Sequence, residues 1–350
     1  MGFNKGEWSE LYAFLYLLEN NNLAIVDENL DVIQDDVFKI LEFVFINNKY
    51  KIRNNSNILK THISGTEIEH SIKTISDYAF LLLQKILSHK KAKGSFEIAE
   101  LEPLINELLD GKKLKGSSKT KGDLEANVFD SIRLGTINLK YNIKSSLGAS
   151  ATLLNASNHT NFIYEVKNIN DEVMNKSNAI DTRTKLLDKY RYLQINGAKF
   201  NFIKVESEVF HNNLRLIDSQ LDSILGKMLI LSYEKNEKDI QKLLSLIIEN
   251  SNDELYYKTK IGSFANAVTF GMRVSESWNG VNEVNGGIIL VLKTGKVYLL
   301  DLIYFKPIVD KYLIDNIKLD SPSSGRYKMF KIYKENNKYY FKLNLQIRFK

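Results

Sequence analysis

At 350 residues the chain is long enough for about two domains, and its 44% hydrophobic and 11% aromatic content lies well above that of a disordered chain. No apolar run approaches the ~20 residues that cross a bilayer, the opening MGFNKGEWSE lacks a basic-then-apolar leader, and zero cysteines exclude disulfide scaffolds, thiolate metal sites and thiol nucleophiles. A globular, cytoplasmic, non-membrane protein is expected. Its net charge of +6 favours a polyanionic partner such as nucleic acid, although only eight of the 48 basic residues are arginine and the lysine-rich, asparagine-rich composition could reflect an AT-rich coding sequence.

In chain order, residues 7–19 predict an amphipathic helix with Trp8, Leu11, Tyr12, Leu15 and Leu18 on one stripe. A short hairpin follows over 23–33, then a helix near 36–46 and a longer one near 75–89, so the first hundred residues read as mainly helical. Pro103 opens another helix that stops at Gly111. The next segment, GKKLKGSSKTKGD over 111–123, has five lysines and one large apolar residue, which is loop chemistry. Strands are expected at 124–130 and 136–146, joined by a turn containing Gly135, with a third at 162–166 completing a small sheet. Helical patterns return at 184–193, over 207–250 and near 255–270; the remainder reads as strands at 287–303 (broken at Thr294-Gly295), 329–333 and 339–348. The class is α+β or α/β, with helices around a mixed sheet. The expected divisions are a mainly helical 1–110, a core over 111–206, and a helical-plus-β region over 207–350 that completes the core.

Asp123 stands where the lysine-rich loop meets a strand, and Asn142 and Lys144 follow nineteen and twenty-one residues later on one face of the next strand, with Asn138 and Lys140. A carboxylate and an amide oxygen are hard ligands that suit magnesium, and a neighbouring ammonium could hold an attacking water or stabilise phosphate charge, the set that phosphodiester hydrolysis needs. The same spacing also arises on a solvated sheet face. The Ser-, Thr- and Asn-rich run after Lys144 offers donors to phosphates or base edges, or serves as a connecting loop. His62, His70, His89, His159 and His211 lack ligand spacing, and there is no HExxH, GxSxG or GxGxxG; a serine at 117 stands where a phosphate-binding loop needs lysine.

Four stretches together resemble the HpaII-like type II restriction endonucleases: FNKGEWSELYAFL (3–15), IKSSLGASATLLNASNHTNF (143–162), NGGIILVLKTGKV (285–297) and KLDSPSSGRYKMFKIYKENNKYYFKLNLQIRF (318–349). They stand in family order and span nearly the whole chain. The resemblance implies a PD-(D/E)XK-type nuclease core within 111–206, magnesium-dependent cleavage of double-stranded DNA, and CCGG as the target with the cut after the first C. It also implies a cognate DNA methyltransferase and a homodimer on a palindromic site. On this reading Asp123, Asn142 and Lys144 form the active site, although Gly122 replaces the motif's proline and Asn142 its acidic residue. A further carboxylate is then expected, with Glu10 preferred over Glu7, Glu125 and Glu165. DNA contacts are expected from Lys119, Lys121, Ser145, Ser146, Asn155, Ser157 and Asn158, and from Arg183 and Arg326 as guanine readers. A DNA-binding protein without catalysis is the alternative; it would have no use for the Asp-Asn-Lys set.

Overall fold

The computed structural model describes residues 2–46, 48–53, 57–61, 65–89, 94–111, 121–248, 253–322 and 326–350. They form two compact units, Met1–Ala151 with Asn282–Tyr312, and Thr152–Val281 with Leu313–Lys350. The expected region 1–110 lies within the first unit, whereas the boundaries after residues 151, 281 and 312 fall inside the expected 111–206 and 207–350 regions, because the chain leaves the first unit and returns to it with two more strands of its sheet.

In the first unit, β1 (Phe3–Asn4) leads into α1 (Lys5–Asn20), followed by β2 (Ile25–Val26), β3 (Val32–Gln34), β4 (Phe38–Phe45), β5 (Asn48–Ile52), β6 (Asn57–Thr61) and β7 (Glu67–Ser71). Then come α2 (Ile72–Ser88), β8 (Ser95–Phe96), α3 (Glu102–Leu109), β9 (Leu124–Asp130) and β10 (Gly135–Ser145). After the second unit's excursion, β14 (Gly287–Val291) and β15 (Val297–Asp301) join the same sheet, whose order is β3-β2-β15-β14-β10-β9-β4-β5-β6-β7. Most pairs are antiparallel; β10–β14 and β15–β2 are parallel. Helix α1 covers this sheet with a buried face of Trp8, Leu11, Tyr12, Phe14, Leu15 and Leu18. Phe14 contacts Phe43, Phe45 and Tyr50 of the sheet at centroid distances of 5.7, 4.3 and 4.8 Å.

The expected helix over 36–46 is the strand β4, and β2–β7 make the stretch between α1 and α2 a run of strands. Phe38, Ile40, Phe43 and Phe45 all turn inward, with a bulge between Ile40 and Glu42 that moves the inward face by one residue. That spacing mimics a helical stripe, and pairing with the distant β9 decides against it. Strand β9 spans the expected residues. The turn before β10 is Ser131–Leu134, with Gly135 already in the strand.

The second unit holds β11 (Thr152–Leu154), β12 (Asn161–Lys167), α4 (Asp171–Ala179), α5 (Lys185–Ile195), β13 (Lys199–Val205), α6 (Glu208–Ile217), α7 (Leu221–Glu234), α8 (Ile240–Ile247) and α9 (Glu254–Phe270). Helix α10 (Lys306–Asn316) leads back to β16 (Ile317–Asp320), β17 (Tyr333–Glu335), β18 (Lys338–Asn344) and β19 (Gln346–Phe349). Two sheets result, β13-β12-β18-β17 and β11-β19-β16. The third strand expected to complete a sheet with β9 and β10 is therefore β12, at the centre of a different sheet. Nor is 329–333 a strand: β17 starts only at Tyr333, because Phe330 sits at a φ of 50°. Among the described residues no helix is long and apolar enough to cross a membrane.

Candidate active site

Asp123 precedes β9 and is fixed on β10 by two hydrogen bonds: its N–H donates to the Tyr141 carbonyl at 2.8 Å, and its Oδ2 accepts from the Ile143 N–H at 2.7 Å. These partners flank Asn142, so the carboxylate is held beside it. Asn142 is buried at 6% exposure, and Lys144 lies two residues along the same strand face.

Gly122, immediately before Asp123, has a φ of +104°. Proline is locked near −65°, so the motif's proline could not take this chain path. A further anchor comes from Asn285, whose Oδ1 accepts from Lys140 N–H at 2.8 Å and whose amide donates to the Asn138 carbonyl at 3.2 Å. Beside it a Cβ on Gly286 would lie 2.4 Å from the Tyr141 ring, so only glycine lets that ring close under β10. The Asn-Gly-Gly run is thus the clamp that sets the parallel β10–β14 pairing, with Asn142 opposite Ile288 and Lys144 opposite Leu290.

Glu10 reaches this set from α1. The helix starts at a capping box in which Asn4 accepts from Gly6 and Glu7 N–H while Glu7 accepts from Asn4 N–H at 2.8 Å, so Glu7 is committed to the helix terminus. Lys5 donates to the Leu147 carbonyl just beyond β10 at 3.4 Å, tying the first turn to that strand's exit. Burial, the Asp123 charge and, to a lesser extent, Glu7 push the Glu10 carboxyl up to about 8, against the opposing effect of Lys144. Two carboxylates and one ammonium therefore share one electrostatic environment in which desolvation leaves the negative charge under-compensated.

The other carboxylates are engaged elsewhere. Glu125 pairs with Lys140 at 3.8 Å, and Glu165 belongs to β12 in the second unit, where it meets Lys338 at 3.3 Å and Lys167 at 3.8 Å. Among the described residues no three of His, Asp and Glu converge as a metal cage, so a metal here would rely on the Asn142 amide oxygen beside two carboxylates.

The expected DNA contacts divide between the units. Lys119 lies outside the described residues, as does all of the lysine-rich loop from 112 to 120, while Lys121 is half-buried and its N–H donates to Glu283 at 2.9 Å. Ser145 accepts from Leu147 N–H at 3.0 Å and Ser146 donates to the Val291 carbonyl at 3.2 Å, which secures the end of β10. Asn155, Ser157 and Asn158 fall in the second unit; Ser157 caps a short turn by accepting from His159 N–H, and Asn155 and Asn158 are exposed. Arg183 and Arg326 are exposed on the second unit. The resemblance includes the block that Asn285 opens, but sequence reading did not single out Asn285 or Glu283 as positioning residues.

No solved structure matches this chain. The family model described as HpaII restriction endonuclease matches residues 4–349. The type II restriction enzyme HpaII of Haemophilus parainfluenzae is 36% identical over 361 aligned residues, covering 99% of this chain and 98% of that protein. The match spans both units. The chain belongs to the HpaII restriction endonuclease family and is a type II site-specific deoxyribonuclease acting on double-stranded DNA.

Proposed function

We propose that this enzyme hydrolyses CCGG sites after the first C in a magnesium-dependent reaction, with Asp123, Asn142, Lys144 and Glu10 as its active site. The observation that carries the assignment is the pair of hydrogen bonds by which Asp123 is held to the residues flanking Asn142, with Asp123 and Lys144 both acting on the buried Glu10. The donor set fits a hard dication: carboxylate and amide oxygens are the ligands magnesium takes, and a second positive charge would offset the burial and the Asp123 repulsion that raise Glu10. Asp123, Asn142 and Glu10 would hold the ion, which when bound supplies positive charge to the phosphoryl oxygens.

The protein's own groups account for the rest. The Lys144 ammonium orients the attacking water and stabilises charge that builds on the phosphorus oxygens. Water attacks phosphorus in line with the 3′ oxygen; the new O–P bond forms as the P–O3′ bond breaks, the water's proton passes to solvent, the departing O3′ takes up a proton from solvent, and 5′-phosphate and 3′-hydroxyl ends remain. Lys119, Lys121, Arg183 and Arg326 contact the duplex, with the arginines reading guanine, and Ser145, Ser146, Asn155, Ser157 and Asn158 line its path. A palindromic target suits a two-fold homodimer, and a methyltransferase of the same specificity protects the cytoplasmic DNA of the host.

The test is digestion of a plasmid of known sequence with and without magnesium, followed by mapping of the fragment ends. Ends within every CCGG, only with magnesium, support the whole reading. Ends at another palindrome replace the target alone, and cutting in EDTA removes the metal.

A further inference from the structure

The second unit carries a polar cleft of about 680 Å³ that the catalytic assignment does not use. One wall is the short turn that Ser157 caps, bearing Asn158 and His159. The His159 ring is held from behind, its Nδ1 lying 3.1 Å from Ser207 Oγ, while that same hydroxyl caps α6 by accepting from Phe210 N–H at 3.3 Å. Beneath the turn the buried Asn344 donates to the Ser157 carbonyl at 2.6 Å and to Asn161 Oδ1 at 2.7 Å, and Asn161 donates to Glu206 at 2.8 Å. Glu206 accepts from Lys342 and so neutralises the one lysine at the cleft floor. The wall is thereby fixed through a hydrogen-bonded chain before any ligand arrives.

The facing wall is stranger. Tyr327, Lys328 and Phe330 have φ values of 61°, 51° and 50°, a left-handed conformation that side-chain-bearing residues rarely adopt. No glycine relieves it; packing imposes it. The Phe330 ring stacks on Phe341 at 4.7 Å and meets Tyr233 edge-on at 4.9 Å, and Tyr327 reaches across to donate to the Ala156 carbonyl at 3.0 Å. Phe330 is anchored inward and Lys328 is thereby presented outward, exposed and without an ion-pair partner among the described residues. Lys331, also exposed and unpaired among them, lines an adjoining cleft of about 300 Å³ with Lys328 and Tyr333.

Two unpaired lysines, an imidazole held by Ser207 and an exposed amide make a mixed set. Phosphates alone would call only for the cations, and an apolar ligand would want an apolar lining; base edges call for fixed donors and acceptors beside cations that engage the backbone. We infer that this cleft is a DNA-reading site, in which Lys328 and Lys331 hold backbone phosphates while His159 and Asn158 meet base edges. The inference rests on the double-stranded DNA substrate and is independent of the assignment of Asp123 and its neighbours.

The test is equilibrium binding in EDTA, across salt, to a duplex carrying the site mapped from wild-type digestion and to a scrambled duplex. The Lys328→Ala/Lys331→Ala double variant is expected to lose affinity equally on both duplexes and to lower the salt slope by about two. His159→Ala and Asn158→Ala are each expected to lose roughly tenfold on the target duplex alone. His159→Gln, which keeps a polar side chain, serves if the alanine variant melts early. Wild-type affinity, slope and discrimination in all these variants overturn the inference, and an equal loss on both duplexes for His159→Gln overturns its base-reading part. Failure of Asp123 variants to lose cleavage would overturn the catalytic assignment and leave these binding shifts unchanged.

Discussion

The two units treat charge in opposite ways. In the first, Glu10 and Asp123 are brought beside Lys144 at the edge of a hydrophobic core, and burial is what perturbs Glu10. In the second, the buried polar groups around Thr160, Asn161 and Asn344 are bonded to one another, and the unpaired cations Lys328 and Lys331 stand in solvent. Low dielectric magnifies the effect of charge on a buried group such as Glu10, which suits bond-breaking, whereas solvent exposure suits salt-dependent contact with a polyanion. On the proposed roles, the protein separates chemistry from recognition by where it places desolvated charge.

The comparison breaks first at Lys144 and Asp123. Lys144→Ala should slow single-turnover cleavage by about 10²–10³-fold with duplex affinity nearly retained. Asp123→Asn is the cleaner partner variant, since it keeps an acceptor for the Ile143 N–H and removes only the charge; it should be comparably slow. Cleavage at the wild-type rate in either would return this cluster to a structural role.

Gly122→Pro should do nearly as much damage from outside the cluster. At a φ of +104° proline cannot be accommodated, so the variant should lose cleavage and shift its melting temperature down, whereas a full-activity variant would show that the entry path to Asp123 is dispensable.

Glu10→Gln sharpens the comparison through pH. A carboxyl with a folded value of about 8 against 4.5 unfolded ionises first in the unfolded chain. Below about pH 4.5 the group contributes nothing, and between there and about pH 8 it lowers the stability of the metal-free protein as pH rises, with a slope of up to about 1.4 kcal/mol per unit. Urea melts of the metal-free protein at pH 5 to 8.5 should show the variant gaining on wild type with pH, and parallel curves would mean that Glu10 is not desolvated.

The smallest effect belongs to the second unit's core. Tyr164 donates to the Gly226 carbonyl at 2.7 Å from full burial, so Tyr164→Phe should cost about 1–2 kcal/mol in denaturant melts while leaving cleavage unchanged. Lost cleavage would show that the chemistry depends on this core after all.

Much of this was legible beforehand where the signal is local. The α1 stripe, the proline-to-glycine helix α3, and the alternation in β9 and β10 follow from side-chain period and turn chemistry, and alternation alone put Asn142 and Lys144 on one strand face. The 36–46 segment was misread because a bulged strand and a helix bury similar positions, and the choice between them lay in β9, some ninety residues away.

Sequence by itself determined the class of chemistry available to this protein: no thiol, no histidine cage, a carboxylate and a lysine at strand spacing, and four blocks in family order. The sequence reading already preferred Glu10 as the further carboxylate; the tertiary structure adds that capping occupies Glu7 and ion pairing occupies Glu125 and Glu165, while Asp123 and Lys144 act on a buried Glu10. It also decided that the polar run after Lys144 is cut between two units, and that the left-handed turn at Tyr327 faces His159 across a cleft. Periodicity is written in neighbouring residues, but burial and pairing depend on contacts between segments far apart in the chain, and those come into being only when the sheets close.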